Sequence, residues 1–209
     1  MKRRDLEKAL EQISFDAESP TLEQYPTDSR TAAELLWSAL LKGDLREKLV
    51  LDLGCGSGRL ACGAALLNAR YVVGVDISPV LLKEAIRNAS KLGVRHRVDF
   101  VLAEVPVLCF KGFDTVVQNP PFGVRRRGMD TVFLRSASQH ADVIYSIHKR
   151  APRSKEFLEK TAERLNLKIE GIIPVELRIP HLFEFHKKRY KVVEADIVIF
   201  RRKKTCEGQ

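Results

Sequence analysis

The 209-residue sequence predicts an α/β domain: a seven-stranded, mostly parallel sheet with helices on both faces and an antiparallel strand pair at its C-terminus. Three observations carry that prediction. Short apolar runs alternate with helical stretches from residue 48 onward, a glycine-rich turn separates the first run from its helix, and the last two runs have no helix between them.

An N-terminal helix is expected over 5–13, followed by a segment bounded by Pro20 and Pro26. Ala32, Ala33, Leu35, Leu36, Ala39 and Leu40 then recur at helical spacing, with Trp37 assigned to the core. The alternation begins at Leu49-Val50-Leu51 and runs through a helix near 59–68, a strand at 71–73, a helix near 79–91 and a strand at 98–102. It continues with 113–117, a helix near 130–139, 143–147 and a helix near 153–165, and closes with strands at 168–180 and 190–200. Such a series makes βαβ units with right-handed crossovers. Residues 1–45 form a helical extension and 46–209 the sheet domain, one structural unit overall; 209 residues leave little room for a second domain.

Composition narrows the class. Hydrophobic residues at 44% and charged residues at 30% fit a folded chain and exclude wholesale disorder, collagen and coiled coil. A balance of 36 Lys+Arg against 27 Asp+Glu favours a polyanionic partner such as nucleic acid. The basic residues gather at 2–4, at 125–127, and at 187–191 with 201–204. No apolar run is long enough to cross a membrane and the N-terminus lacks an apolar signal core, so a cytoplasmic chain is expected. Cys55, Cys62, Cys109 and Cys206 show neither zinc-ligand nor disulfide spacing and read as reduced, mostly buried thiols.

Two constellations carry chemistry. Asp52-Leu53-Gly54-Cys55-Gly56-Ser57-Gly58 follows a strand and opens a helix; its glycines let a ligand lie against backbone. Val73-Gly74-Val75-Asp76 ends the next strand with a carboxylate placed to accept ribose hydroxyls. A dinucleotide dehydrogenase fits this pair less well, because Arg59 stands where its fingerprint requires a third glycine. The second constellation is Gln118-Asn119-Pro120-Pro121-Phe122-Gly123, after the fourth strand. A planar exocyclic amine is a poor nucleophile because its lone pair is delocalised. The Asn119 side-chain oxygen and the Pro120 carbonyl can accept both amine hydrogens and turn the lone pair toward an electrophilic methyl. Proline holds that carbonyl by fixing φ, and Phe122 offers a ring on which a flipped-out base can stack.

Asp52 to Gly58 together with Asn119 to Phe122 resembles a Rossmann-like class I S-adenosylmethionine-dependent methyltransferase acting on an amino nitrogen. More narrowly, Leu22-Glu23-Gln24-Tyr25-Pro26-Thr27, Asn119-Pro120-Pro121-Phe122-Gly123, Tyr145-Ser146-Ile147-His148-Lys149 and Phe185-His186-Lys187-Lys188 resemble, in order and spacing, an archaeal member of the methyltransferase-like protein 5 family. The resemblance covers nearly the whole chain. It implies N6-adenosine methylation of small-subunit ribosomal RNA, with S-adenosylmethionine as cofactor. It also implies that Gln24 and Thr27 cover the cofactor, so that the N-terminal extension contributes to a lid. Gly54 and Gly56 would lie at the methionine end, Asp76 with Ile77 at the ribose, and Glu104 with Val105 toward the adenine, with Asp52 and Asn119 also touching the cofactor. Glu104 departs from the family, which usually has Asp there.

The family further implies a small zinc-binding activator protein that extends the sheet at the third-strand edge, here Val98 to Leu102. With no recognition domain, RNA would be held by Arg125, Arg126 and Arg127 beside the corner, with His148, Lys149, Lys187, Lys188 and Arg189 adding contacts. His148 is not expected to act as a general base. A protein glutamine N5-methyltransferase usually has Tyr where this chain has Phe122, and carries an N-terminal substrate domain. DNA adenine methylation would call for a target-recognition segment. A non-catalytic RNA-binding scaffold would have no use for an intact Asn119 and an open glycine turn.

Overall fold

The computed structural model describes residues 1–15, 27–105, 112–122, 128–180 and 190–203. Two helices, α1 (Arg3–Glu11) and α2 (Ser29–Leu41), precede the sheet. The alternating part is β1 (Leu49–Leu53), α3 (Arg59–Leu66), β2 (Tyr71–Asp76), α4 (Pro79–Lys91), β3 (Val98–Leu102), β4 (Thr115–Gln118), α5 (Met129–His140), β5 (Val143–Lys149) and α6 (Ser154–Arg164). Two long strands close it, β6 (Leu167–Pro180) and β7 (Tyr190–Arg202).

The sheet order is β3-β2-β1-β4-β5-β7-β6. β1 to β5 run parallel, and β7 is inserted antiparallel between β5 and β6. The expected seven-stranded sheet with its closing antiparallel pair is therefore present. β3 and β6 are the edges, and the edge position lets β6 accommodate Pro174 without breaking an inner ladder.

Alternation along the strands splits the core into two layers. Val50, Val117, Tyr145, Ile147, Ile197 and Ile199 face α1 to α4, whereas Leu51, Val116, Ile144, Val198 and Phe200 face α5 and α6. Leu6 and Leu10 of α1 and Leu36 of α2 are fully buried on the first face, each side chain contributing about 1.5–3 kcal/mol. These helices crowd α3 at Gly63, where a Cβ would come 2.4 Å from Leu36 Cδ1.

Local chemistry sets the boundaries. Asp28 caps α2 by accepting the Thr31 N–H at 3.0 Å. Ser78 caps α4 with Pro79 in its first turn. β1 and β2 run past the predicted apolar runs, to Leu53 and Asp76, because their ligand ends carry Asp and Gly. Among the described residues no helix is long and apolar enough to cross a membrane.

Candidate active site

Four turns at the carboxyl ends of β1, β2, β3 and β4 meet on one edge of the sheet. β1 and β4 flank the point where the strand order reverses, the position at which open α/β sheets bind ligands.

The turn after β1 is built for close approach. Gly54 and Gly56 have φ of +72° and +52°, and a Cβ on Gly54 would come 2.9 Å from the Phe133 ring. The Gly54 and Cys55 N–H groups donate to the Val75 carbonyl at 2.8 and 2.9 Å, and the Gly56 N–H donates to Asp76 Oδ2 at 2.8 Å. The turn is thereby pinned to the end of β2. Asp76 is 6% exposed and its second oxygen accepts the Ser78 N–H at 2.9 Å; burial raises its pKa and these backbone donors oppose the rise.

Asp52 lies beneath this turn at 1% exposure. Its Oδ2 accepts the Ala61 N–H of α3 at 2.9 Å, while Oδ1 is buried with no hydrogen-bond partner among the described residues. Burial, reinforced by the nearby Asp76 charge, pushes the Asp52 carboxyl up to about 8. Ile77 is 48% exposed next to Asp76; Glu104 is exposed, and Val105 is buried with its carbonyl accepting Ser136 Oγ at 2.9 Å.

The corner after β4 has the same character. Gln118 is fully buried, and its Nε2 donates to Ser146 Oγ at 3.0 Å while Oε1 has no partner among the described residues. Asn119 Nδ2 donates to Thr27 Oγ1 at 2.9 Å, which leaves the buried Oδ1 without a partner among the described residues. Pro120 is buried; Pro121 and Phe122 are half-buried, Phe122 against the core layer on the α1 to α4 face. The corner thus presents an unsatisfied acceptor beside an accessible aromatic ring.

The structure brings Thr27 against Asn119, Gly56 against Asp76, and Asp52 within electrostatic reach of Asp76. It does not bring His148 to the surface. His148 is 4% exposed, stands edge-on to Phe200 with ring centroids 6.0 Å apart, and burial lowers its pKa to about 4 against the pull of Asp130 and Asp196. A neutral, enclosed imidazole is poorly placed for the RNA contact expected of it. Lys149, one residue on, is exposed. Gln24, Arg125, Arg126, Arg127, Lys187, Lys188 and Arg189 lie outside the described residues, as do Cys109 and Cys206. Cys55 and Cys62 are buried free thiols whose pKa values burial raises, Cys62 to about 12, so both are protonated.

Two supporting residues escaped the sequence reading. Arg59 donates from Nη1 to the Thr27 carbonyl at 2.5 Å and from Nη2 to the Ile13 carbonyl at 3.0 Å. Asn88 donates from Nδ2 to the Ser57 carbonyl at 3.0 Å and the Ser14 carbonyl at 3.2 Å. Together they tie the N-terminal segments to the glycine turn. Asn88 had a readable signal: it shares the buried face of α4 with Leu81, Ala85 and Ala89. Arg59 had none beyond its place after Gly58.

Comparison with known proteins agrees with this geometry. The chain is 37% identical to an uncharacterised protein of Methanocaldococcus jannaschii over 98% of its own length and 95% of that protein's. It is 35% identical to the rRNA N(6)-adenosine-methyltransferase METTL5 of Danio rerio over 96% of this chain and 99% of that one. Among solved structures, a candidate RNA methyltransferase from Pyrococcus horikoshii superposes with a TM-score of 0.88 at 32% identity, covering 97% of this chain and 98% of that one. A family model described as ribosomal protein L11 methyltransferase (PrmA) matches residues 30–120. That match spans the glycine turn and Asp76 and stops at Pro120, before Phe122 and the last three strands.

Proposed function

The chain belongs to the METTL5 family of rRNA N6-adenosine methyltransferases, and on that premise we propose how its site performs the reaction. The enzyme is S-adenosylmethionine-dependent and methylates adenosine N6 in RNA. The residues present fit the cofactor: the open Asp52 Oδ1 suits the cationic methionine end, Gly54 and Gly56 clear space for it, and Asp76 suits the ribose. Ile77 would lie with Asp76 at the ribose, and Glu104 with Val105 at the adenine. When bound, S-adenosylmethionine supplies a methyl group on a sulfonium, an electrophile.

The chain supplies alignment. Asn119 Oδ1 and the Pro120 carbonyl accept the two N6 hydrogens of a flipped-out adenine, and Pro121 stiffens the turn. Phe122 stacks on the base. The amine proton becomes acidic only once nitrogen is alkylated and leaves to water, so no basic side chain is needed; buried, neutral His148 is consistent with that. Arg125, Arg126 and Arg127 would grip phosphates beside the target, and Lys149, Lys187 and Lys188 would extend that hold. The proposed site of action is the cytoplasm, as expected for an enzyme acting on ribosomal RNA.

The observation that carries this reading is the buried Asn119 Oδ1 at the carboxyl end of β4, without a partner among the described residues, because such an atom costs about 1–3 kcal/mol unless a ligand satisfies it. Asn119→Ala should cut methyl transfer to small-subunit RNA by ~10²–10³-fold while leaving calorimetric affinity for the cofactor near wild type. N6-methyladenosine, measured by nucleoside mass spectrometry, is the readout; equal turnover in mutant and wild type refutes the mechanism.

A small zinc-binding activator protein would pair with the outer edge of β3. Among the described residues β3 pairs only with β2, and Leu102 is 59% exposed at its end. Co-expression with a candidate activator should give a complex that Leu102→Lys weakens; an unaffected complex places the contact elsewhere.

A further inference from the structure

We propose that Thr27 is a positioning residue that sets which end of the Asn119 carboxamide faces the substrate amine, and that Arg59 holds Thr27 in place. The proposal deepens the adenine-N6 reading and rests on it.

A carboxamide is nearly symmetric in shape and opposite in function at its two ends. Turned one way, Asn119 offers an acceptor to the amine; turned the other, it offers N–H donors to a group that itself donates. In the structure the choice is made from outside the corner. Thr27 Oγ1 accepts the Asn119 Nδ2 hydrogen at 2.9 Å, so Oδ1 is the open end. Thr27 is 7% exposed and separated from Asn119 by 92 positions in sequence, so this contact exists only if the N-terminal segment is docked.

Arg59 makes that docking. One guanidinium nitrogen takes the Thr27 carbonyl at 2.5 Å and another the Ile13 carbonyl at 3.0 Å. Asn88 adds a second tie by joining the Ser14 and Ser57 carbonyls. Neither Arg59 nor Asn88 reaches the corner itself. A continuous hydrogen-bonded path therefore runs from the first residue of α3, through Thr27, to the acceptor that meets the substrate. Burying a guanidinium is costly without partners, and the fork geometry of arginine is what allows two carbonyls to be held at once.

The test compares Thr27→Val, Thr27→Ser and Arg59→Lys with wild type. Methyl transfer to small-subunit RNA, affinity for S-adenosylhomocysteine by calorimetry, and thermal melting are measured for each. Thr27→Val keeps the shape and removes the hydroxyl, so kcat should fall by ~10–100-fold with cofactor affinity within about twofold. Thr27→Ser keeps the hydroxyl and should restore kcat. Arg59→Lys keeps the charge but cannot span both carbonyls, and should lower kcat in the same sense by a smaller factor.

Unchanged kcat in Thr27→Val, or weaker cofactor binding with intact kcat at saturation, overturns the positioning role and makes Thr27 an ordinary cofactor contact. Full kcat in Arg59→Lys removes the Arg59 arm. A wild-type protein that binds cofactor yet forms no N6-methyladenosine defeats the functional reading itself, a failure that no variant is needed to detect.

Discussion

The two ends of the sheet bury polar groups in opposite ways. At the amino end of β4 and β5, Asp44 accepts the Tyr145 hydroxyl at 2.8 Å and Arg201 Nη2 at 3.0 Å, and its carbonyl accepts Thr115 Oγ1 at 2.5 Å. Arg201 also pairs with Glu170, which Lys42 Nζ reaches at 2.8 Å. Each carboxylate there meets a cation or a hydroxyl. At the carboxyl end, Asp52 Oδ1, Gln118 Oε1 and Asn119 Oδ1 are buried with no partner among the described residues. A matched network stabilises, whereas an unmatched acceptor costs stability until a ligand arrives. The contrast within one sheet separates the part that holds the fold from the part that does the chemistry.

That contrast can be broken from either side. Asp76→Ala at the open end should weaken cofactor binding by ~10–100-fold, since a charged acceptor is lost, and should also lower the melting temperature, because the Gly56 and Ser78 N–H groups lose their partner. Calorimetry showing unaltered affinity would remove its ribose role. Tyr145→Phe at the closed end should affect stability alone, costing about 1 kcal/mol in denaturant titration and leaving turnover intact. If Tyr145→Phe lowered turnover at full occupancy, the two ends would be coupled and the division would fall.

Two pH effects sharpen it. With its carboxyl near 8, Asp52 carries a proton at pH 7, and a bound cation should lower that value. Cofactor binding should then release up to one proton at pH 7, and affinity should rise with pH until about 8 and flatten above it. Calorimetry in buffers of different ionisation enthalpy reads the release, and Asp52→Asn should abolish it.

Acid unfolding should come in two windows. His148 is held neutral with a pKa near 4 against an ordinary 6.5, so the unfolded chain takes the proton first and stability drops as pH falls from about 6.5 to 4. Glu170 is held near 2 against 4.5 by Arg201 and Lys42, so its contribution, present above 4.5, is lost between about 4.5 and 2. His148→Gln should flatten the first window in denaturant titrations and spare the second.

The sequence made most of the fold legible because its signals are local. The helix expected near 79–91 and the strand expected at 98–102 match α4 and β3, the strand because Val98 to Leu102 is a local apolar run. The glycine turn, Asp76 and the Asn119-Pro120 corner could be read as motifs, for their chemistry requires those residue types in that order. What stayed hidden depends on contacts across the sequence. The Thr27 to Asn119 hydrogen bond and the reach of Arg59 to Ile13 have no local signature. The enclosure of His148 is of the same kind: Phe200 on β7, 52 positions away in sequence, stands against its ring.

The Asp52 carboxylate stands where a dinucleotide-binding sheet would receive its pyrophosphate. The positive pole of the helix after a glycine turn ordinarily attracts an anion. Here the Ala61 N–H of that helix is already answered by Asp52 Oδ2, from inside the protein. That donor is therefore taken before any ligand phosphate could meet it. A phosphate-bearing nucleotide meets an acid that burial makes reluctant to ionise, while a ligand bringing positive charge restores that ionisation. One side chain thus ties its own ionisation to the charge of its ligand, favouring an onium compound that restores it.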